Sequence, residues 1–254
     1  MVSIAVGSGL AAVGAAGAAV TGLLPFGAAS AVSWSALAAV SGGVVLGSAH
    51  PGWQFFGPAV SRGSGARPQV ALTFDDGPDP ASTDALLEAL AQAGATATFF
   101  LLVDRAEAHP ELTRAIAAEH EVGLHGLGHH PWLSIWSPKR GAAELIEASE
   151  RLGALTGERP SWYRPPFGVT SPRLAQAVEL AGLKTAWCSL RTMDGVMGTP
   201  NSLRARCMTA APGDIVLLHE GPGRPAPAAM PAVLRDLTVR GLHAVTLSQL
   251  LDHA

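Results

Sequence analysis

The stretch Val70-Ala71-Leu72-Thr73-Phe74-Asp75-Asp76-Gly77-Pro78-Asp79-Pro80 decides the predicted fold. Its first five residues are apolar or β-branched, and the Gly77-Pro78 pair ends the run, which is typical of a buried strand. Two adjacent carboxylates, Asp75 and Asp76, follow that strand, and like charges this close raise each other's pKa unless they share a cation. One arrangement makes Asp76 a metal ligand and Asp75 the base beside the metal-bound water. The alternative is an ordinary turn in which both residues cap the next helix.

Downstream of this strand, predicted strands and helices alternate. The strands are expected at 69–74, 95–103, 121–124, 161–164, 185–190, 214–218 and 243–246. The helices are expected at about 82–93, 110–119, 138–156, 171–181, 201–211 and 226–240, followed by a short C-terminal helix. This alternation predicts an α/β fold with a mostly parallel sheet, and the number of units predicts a barrel.

Polar residues stand at the predicted strand ends, where such barrels carry their chemistry. A carboxylate, imidazole or guanidinium follows five of the strands: Asp75-Asp76, His125, Arg164, Asp194 and His219. One such residue would mean little, but five together predict an active site.

The segment His125-Gly126-Leu127-Gly128-His129 has an H-x3-H spacing, which we expect to bring both imidazoles onto one face of a helical turn. Together with Asp76 they form a set of two histidines and one carboxylate, which leaves positions open for water and substrate on a catalytic metal. His130 is a rival ligand. The alternative is a pair of surface loop histidines.

The N-terminal region differs from the rest in composition. Residues 1–61 contain no Asp, Glu, Lys or Arg, and two apolar runs, 4–24 and 31–48, each approach the ~20 residues that cross a membrane as a helix. We predict a membrane anchor or hairpin, with a Gly/Pro/Ser-rich linker at 52–68 and a folded domain at 62–254. The alternative is a secreted protein with a signal peptide cleaved at Ala29-Ser30-Ala31.

Charge and cysteine content exclude some classes of protein. The net charge of −3 indicates no nucleic-acid partner. Cys188 and Cys207 are the only cysteines, too few for a disulfide framework, and we expect two separate buried thiols.

The motifs, taken in order, resemble those of polysaccharide deacetylases of the NodB-homology type, carbohydrate esterase family 4. The resemblance covers roughly residues 69–251. It rests on Thr73-Phe74-Asp75-Asp76-Gly77-Pro78, the H-x3-H, Arg164-Pro165-Pro166-Phe167-Gly168 and Leu217-Leu218-His219. It implies a distorted (β/α) barrel of about seven strands and a hydrolase that removes N-acetyl groups from a glycan, either a cell-wall polymer containing N-acetylglucosamine or a chitin-like one.

The resemblance also implies roles for individual residues. Asp75 would be the general base, paired with Arg164. Asp76, His125 and His129 would hold a divalent metal ion, with zinc favoured.

The remaining roles concern the leaving group and the acyl group. His219 would be the general acid and Asp194 its acidic partner. The backbone N–H of Phe167, after Pro166, would hold the oxyanion, and Leu217 would line the acetyl pocket.

Three positions depart from the family pattern. Arg191 replaces the first Asp of the fourth motif, Gly195 replaces the acetyl-pocket Trp, and Gly126 stands where the metal loop usually has Ser or Thr. The first two changes put the N-acetyl specificity in question, and the third removes a hydroxyl that supports the metal loop.

These departures leave two other functions open: O-deacetylation or deacylation of a small amide, and a non-catalytic glycan-binding barrel. The expected partners are an acetylated glycan and a membrane, with the catalytic domain extracytoplasmic and no protein partner.

Trp132 and Trp136 are expected either to stack on sugars or to pack in the core. Asp79, His109 and Glu220 are expected to be surface or capping groups.

Overall fold

A parallel sheet of nine strands organises residues 57–195 and 198–252, the part of the chain that this computed structural model describes. The strands are β1 Ala59–Val60, β2 Gln69–Gly77, β3 Thr98–Leu102, β4 Glu121–Gly126, β5 Trp162–Tyr163, β6 Lys184–Ala186, β7 Leu190–Arg191, β8 Ile215–His219 and β9 His243–Val245. The helices are α1 Thr83–Gln92, α2 Val103–Ala108, α3 Pro110–Glu119, α4 Pro138–Thr156, α5 Pro172–Leu180, α6 Pro200–Cys207, α7 Ala226–Val239 and α8 Leu247–Leu251. Short 3-10 segments occupy Pro131–Ile135 and Pro166–Gly168.

The sheet has the order β1-β6-β5-β4-β3-β2-β8-β7, with β9 also paired to β2. The two ends of this strand order are connected by the chain itself, because β6, next to β1 at one end, is followed directly by β7 at the other end. The link between them donates one backbone hydrogen bond to each side: Trp187 N–H to Val60 O at 2.7 Å and Ser189 N–H to Ile215 O at 3.0 Å. The predicted α/β fold with a parallel sheet is confirmed, and the curled sheet forms a distorted barrel.

Side chains of β2 alternate between two apolar clusters, as the period of a strand requires. Val70, Leu72 and Phe74 belong to a large cluster that also includes side chains from the helices. Ala71 belongs to a smaller cluster with Phe100 and other side chains. Burial on both faces explains why β2 is an almost unbroken apolar run.

Local signals account for the helix bounds. The helix predicted at 138–156 is observed as α4, Pro138–Thr156. The Ser137 hydroxyl accepts the Arg140 N–H at 3.4 Å, Pro138 occupies the first turn, and Gly157 ends the helix with a left-handed φ of 85°.

Three details differ from the prediction. The predicted linker contains β1, which pairs with β6. The strand predicted at 185–190 divides into β6 and β7, because the link between them turns from one strand partner to another. Helix α2 was not predicted, because its apolar start is continuous with the apolar run of β3.

Within the described residues, no helix has both the length and the apolar character needed to cross a membrane. The apolar runs at 4–24 and 31–48, on which the predicted anchor depends, lie outside the described residues. The two cysteines are free and buried, as expected.

Candidate metal centre and active site

The carboxyl ends of the parallel strands bring the predicted polar residues to one mouth of the barrel. Asp75 and Asp76 lie at the end of β2, and His219 is the last residue of β8. His125 lies near the end of β4, and Arg164 directly follows β5.

A β-bulge separates the two aspartates. Asp75 is paired with Phe100 and Gly77 with Leu101, so that Asp76 is an extra residue in β2, with a φ of 74°. Successive side chains of a regular strand point to opposite faces, and a bulge redirects one of them. Asp75 and Asp76 therefore both reach the mouth of the barrel although they are neighbours in the chain.

Asp76, His125 and His129 form one cluster of ligand atoms, all within 4.8 Å of one another. Asp76 Oδ1 lies 3.5 Å from His125 Nε2 and 3.4 Å from His129 Nε2. Two donors that each lie ~2.0–2.2 Å from a tetrahedral ion are separated by roughly 3.3–3.6 Å. The two distances from Asp76 to the histidines therefore match those between ligands of one divalent ion.

Hydrogen bonding supports the same conclusion. His125 Nδ1 lies 2.8 Å from Arg164 O, so that this nitrogen is the N–H donor and Nε2 presents its lone pair to the cluster. Asp76 Oδ1 is buried and has no hydrogen-bond donor among the described residues. A buried carboxylate oxygen beside two imidazole nitrogens fits a divalent cation, and the residues present therefore suit the metal that the sequence motifs imply.

The pKa of Asp76 is consistent with an ionised ligand. Burial alone would raise this pKa, but the neighbouring imidazoles of His125, His219 and His129 lower it to about 2. The pKa of His129 is lowered chiefly by burial, which favours the neutral imidazole that a metal needs.

The expectation of a helical turn for the H-x3-H segment was wrong. His125 is a strand residue, and Gly126 reverses the chain with a φ of 115°, a conformation that side-chain-bearing residues rarely adopt. Glycine adopts this conformation without strain. His130, the rival ligand, instead lines a cavity beside the site.

Asp75 forms a buried ion pair with Arg164 at 2.7 Å. The guanidinium also donates to Thr73 Oγ1 at 2.7 Å and to Trp187 O at 2.9 Å, and its Cζ lies 4.1 Å from the centroid of the Phe100 ring. Asp75 is 4% exposed and Arg164 is 3% exposed, so the pair has a fixed orientation in a site that contains little water.

Asp194 and His219 form a second pair on the same mouth. His219 Nδ1 lies 2.9 Å from Asp194 Oδ1, and the backbone N–H of His219 donates to Asp194 Oδ2 at 2.9 Å. Thr192 Oγ1 donates to Asp194 Oδ1 at 2.8 Å. Arg191, which could have competed for this carboxylate, has its Cζ 6.0 Å from the Trp187 ring centroid.

The pKa of His219 is raised by this environment. Burial by itself lowers the pKa, but the hydrogen bond that Asp194 accepts from the imidazole and the charges of Asp75, Asp194 and Asp76 outweigh it. The imidazolium is thus favoured near neutral pH, as a proton donor requires.

The remaining predicted residues lie around these pairs. Phe167 has a φ of 58°, and its ring contacts His129 edge-on with centroids 4.0 Å apart. Pro166 and Phe167 line a cavity of about 170 Å³ beside the metal cluster. Leu217 is half-buried against the smaller apolar cluster. Its place in an acetyl pocket, and the use of the Phe167 N–H, stay predictions.

The two tryptophans differ in their surroundings. Trp132 is 60% exposed. Trp136 packs against the large cluster, with the Arg140 guanidinium 3.7 Å from its ring centroid.

Three further residues at the site were not predicted from the sequence. Arg105 Nη1 donates to Asp76 O at 2.7 Å, and Arg224 Nη1 donates to Gly195 O. Glu220, expected at the surface or in a cap, is 1% exposed. Its position directly after the strand-end histidine was the available signal, because the carboxyl end of a central strand is buried by the neighbouring loops.

Comparison with known proteins gives one family. The family model described as polysaccharide deacetylase matches residues 62–186. A peptidoglycan-N-acetylglucosamine deacetylase of Bacillus cereus is 32% identical over 190 residues, which cover 72% of this chain and 68% of that protein. A chitooligosaccharide deacetylase of a Bradyrhizobium species is 36% identical over 184 residues, with 70% of this chain and 83% of that protein covered.

Solved structures give the same result. A family 4 carbohydrate esterase of Streptomyces lividans, in complex with acetate, has 28% identity and a TM-score of 0.65, and the match covers 69% of this chain and 91% of that one. A family 4 pseudoenzyme of Bacillus anthracis has 24% identity and a TM-score of 0.71 over 77% of this chain and 69% of that one, which shows the fold alone.

Proposed function

Because this chain belongs to the polysaccharide deacetylase family, we propose that it removes N-acetyl groups from a glycan that contains N-acetylglucosamine, such as peptidoglycan or a chitooligosaccharide. The relatives named for these two activities support the substrate class. The observation on which the proposal chiefly rests is that the Asp76–His125–His129 cluster, the buried Asp75–Arg164 pair and the Asp194–His219 pair share one mouth of the barrel.

The first half of the reaction is water attack on the acetyl carbonyl. A divalent ion bound by Asp76, His125 and His129 would acidify water and polarise the carbonyl. Asp75 accepts the proton of the attacking water, and Arg164 holds this carboxylate ionised and oriented. The backbone N–H of Phe167 donates to the oxygen that becomes negative.

The second half is departure of the sugar amine. His219, charged because Asp194 and the other carboxylates favour the imidazolium, gives its proton to the nitrogen as the C–N bond breaks. The products are acetate and a free amino sugar, and the proton on Asp75 returns to solvent.

We further propose zinc as the ion, since two imidazoles and one carboxylate are a donor set that zinc accepts in hydrolases. We also propose that residues 1–61, which contain no charged side chain, anchor the protein to a membrane, with the barrel outside the cytoplasm. The cell-wall substrates of the relatives support that location.

The test is acetate release by the full-length chain, purified in detergent and loaded with zinc, from chitooligosaccharides, peptidoglycan fragments and an O-acetylated glycan. We expect release from the N-acetylated substrates and loss of activity with a chelator. Release only from the O-acetylated glycan would replace the proposed reaction by ester hydrolysis. Binding of glycan by the metal-loaded chain without any release would identify a non-catalytic barrel and contradict the proposal.

A further inference from the structure

Glu220 is a buried carboxylate that the proposed reaction does not use. It directly follows His219 at the end of β8 and is 1% exposed. Burying a carboxyl group is costly unless its surroundings compensate for the lost water. A residue retained in such a place, next to the proposed active site, calls for a physical explanation.

The contacts of Glu220 are made with the end of β2 and with the start of α1. Its backbone N–H donates to Asp75 O at 2.9 Å. Its Oε2 accepts the hydroxyl of Thr83, and that hydroxyl in turn accepts the Asp79 N–H at 2.9 Å. The next residue, Gly221, donates its N–H to Ser82 Oγ at 3.1 Å. The loop after β8 is therefore attached to the start of α1 and to the turn before it.

The other oxygen of Glu220 packs against Gly77. A Cβ placed on Gly77 would lie 2.2 Å from Glu220 Oε1, so this carboxyl occupies the space that a side chain would need. Oε1 is buried and has no hydrogen-bond partner among the described residues. This side of the carboxyl group therefore packs against Gly77, the residue next to Asp76.

The backbone that Glu220 supports needs such support. Asp76 adopts a φ of 74°, which is strained for a residue with a side chain, and such conformations persist only where neighbouring groups maintain them. Arg105 Nη1 donates to Asp76 O at 2.7 Å and lies 4.0 Å from Asp79 Oδ2. The turn is therefore fixed from two sides, by the Arg105 guanidinium and by the Glu220 carboxyl group.

We propose that Glu220 is a positioning residue that holds the bulged Asp76–Gly77 turn, so that the Asp76 carboxylate meets His125 and His129 at ligand distance. The inference rests on the proposed function in one respect, because it takes Asp76, His125 and His129 as the ligands of a metal. Glu220 acts through backbone geometry and contacts neither the metal nor the substrate.

The test measures metal binding by the full-length chain, using Co²⁺ as a coloured substitute for zinc. We expect Glu220→Ala to weaken Co²⁺ binding about 10-fold or more, the range for residues that orient metal ligands, and to change the visible absorption spectrum of the bound ion. Glu220→Gln keeps the shape of the side chain and should restore both the affinity and the spectrum. Thr83→Val removes only the hydroxyl partner and should produce a smaller change in the same direction.

Glu121 provides the matched control. It is also paired with hydroxyl groups, those of Thr98 and Ser248, but it lies at the amino end of β4, at the opposite end of the sheet. Glu121→Ala should lower the melting temperature without altering the affinity for Co²⁺ or the spectrum.

Two results would overturn the inference. One is a folded Glu220→Ala chain that binds Co²⁺ with the parent affinity and spectrum. The other is a Co²⁺ affinity that falls in proportion to lost stability in every variant, the Glu121→Ala control included. Asp76→Ala separates this failure from failure of the proposed function. If Asp76→Ala also leaves Co²⁺ binding unchanged, the metal site itself is wrong. If Asp76→Ala abolishes binding while Glu220→Ala does not, only the positioning role fails.

Discussion

Asp75 and Asp76 are adjacent in the chain, but their partners differ, and this difference predicts separate effects of mutation. Asp75 is paired with Arg164, whereas Asp76 is paired with the two histidines. Asp75→Asn should reduce kcat by about 10²–10⁴-fold because the amide cannot accept a proton, while metal still binds. Asp76→Ala should lose metal as well as activity. Metal content by elemental analysis, measured beside turnover, checks both, and equal metal loss in the two variants would contradict the assignment.

The Asp194–His219 pair predicts a change in pH dependence. The carboxylate raises the pKa of the imidazole, so the proposed proton donor stays charged to higher pH than an isolated histidine would. Asp194→Asn should lower kcat and shift the basic limb of the kcat–pH profile to lower pH. Thr192→Val removes only one hydroxyl donor from Asp194 and serves as the control. Its basic limb should lie close to that of the parent. A basic limb at the same pH in Asp194→Asn and the parent would contradict the role of Asp194 in raising the pKa of the proposed acid.

Glu220 predicts a pH dependence of stability. Burial is the largest cause that raises its pKa, and the charges of Asp79 and Asp76 add to it, while Thr83 and Arg105 act in the opposite direction; the pKa is about 7. The folded protein thus binds this proton more tightly than the unfolded chain does. The contribution of Glu220 is fully present below pH ~4.3, and it is lost as pH rises towards 7.

The amide side chain of Glu220→Gln does not bind or release a proton in this pH range. The difference in unfolding free energy between the variant and the metal-free parent should therefore grow in favour of the variant by roughly 1.4 kcal/mol for each pH unit between about 4.5 and 7. Chemical unfolding at pH 5 and pH 8 measures this difference. Parallel pH profiles for parent and variant would show that the carboxyl group does not hold its proton in the folded state.

At the scale of elements, the loop after β7 controls the position of the proposed acid. A Cβ on Gly195 would lie 2.8 Å from His219 Cε1, so the imidazole rests directly on this glycine. Gly195→Ala should displace the ring and lower kcat by about 10²-fold, with metal content unchanged, because small displacements of reacting groups have effects of this size.

Gly198 is the matched control in the same loop. Its Cβ would meet Pro225 Cγ at 3.5 Å, an ordinary contact, and Gly198→Ala should keep near-parent turnover. Equal rates for both alanine variants would mean that the close approach at Gly195 has no catalytic consequence.

The sequence predicted the elements that carry their own boundary signals. Helix α3 begins at Pro110 and α4 lies between Pro138 and Gly157, and these bounds were expected from proline and glycine positions alone. The bulge at Asp76 and the chain reversal at Gly126 were not predicted. The bulge depends on contacts between residues far apart in the sequence, such as those of Arg105 with Asp76 and of Glu220 with Gly77, and no local pattern encodes them.

For the whole molecule, the alternation of strands and helices was enough to predict a parallel barrel and the end of it that holds the site. The residues that converge there were predicted from their place at strand ends. The two additional strands were missed because β1 has two residues and lies in a Gly/Pro-rich stretch, and because the division between β6 and β7 depends on a change of strand partner.

The short strand β1 predicts where the folded unit must begin. Val60 O accepts the Trp187 N–H at 2.7 Å, and Arg62 forms an ion pair with Asp214 at 3.1 Å. We expect a chain that starts at Gly63 to melt lower than one that starts at Gly57, by about 2–4 °C for each kcal/mol lost. Thermal unfolding of the two chains, with Arg62→Ala in the longer one to separate the ion pair from β1, measures the effect. Identical melting temperatures would show that the fold begins after Arg62.

The link between β6 and β7 has a consequence for the design of fusion proteins. The link begins at Trp187, whose carbonyl oxygen accepts the hydrogen bond that orients Arg164. It ends at β7, which leads into Thr192 and Asp194. A change in its length would move the proposed proton acceptor and the proposed proton donor relative to each other. The turn at Gly157, which has nothing within 4 Å of its Cβ position and follows the end of α4, is free of such coupling. A reporter domain inserted at Gly157 should therefore be tolerated. Even one residue added between Trp187 and Ser189 should displace the groups of one half-reaction from those of the other.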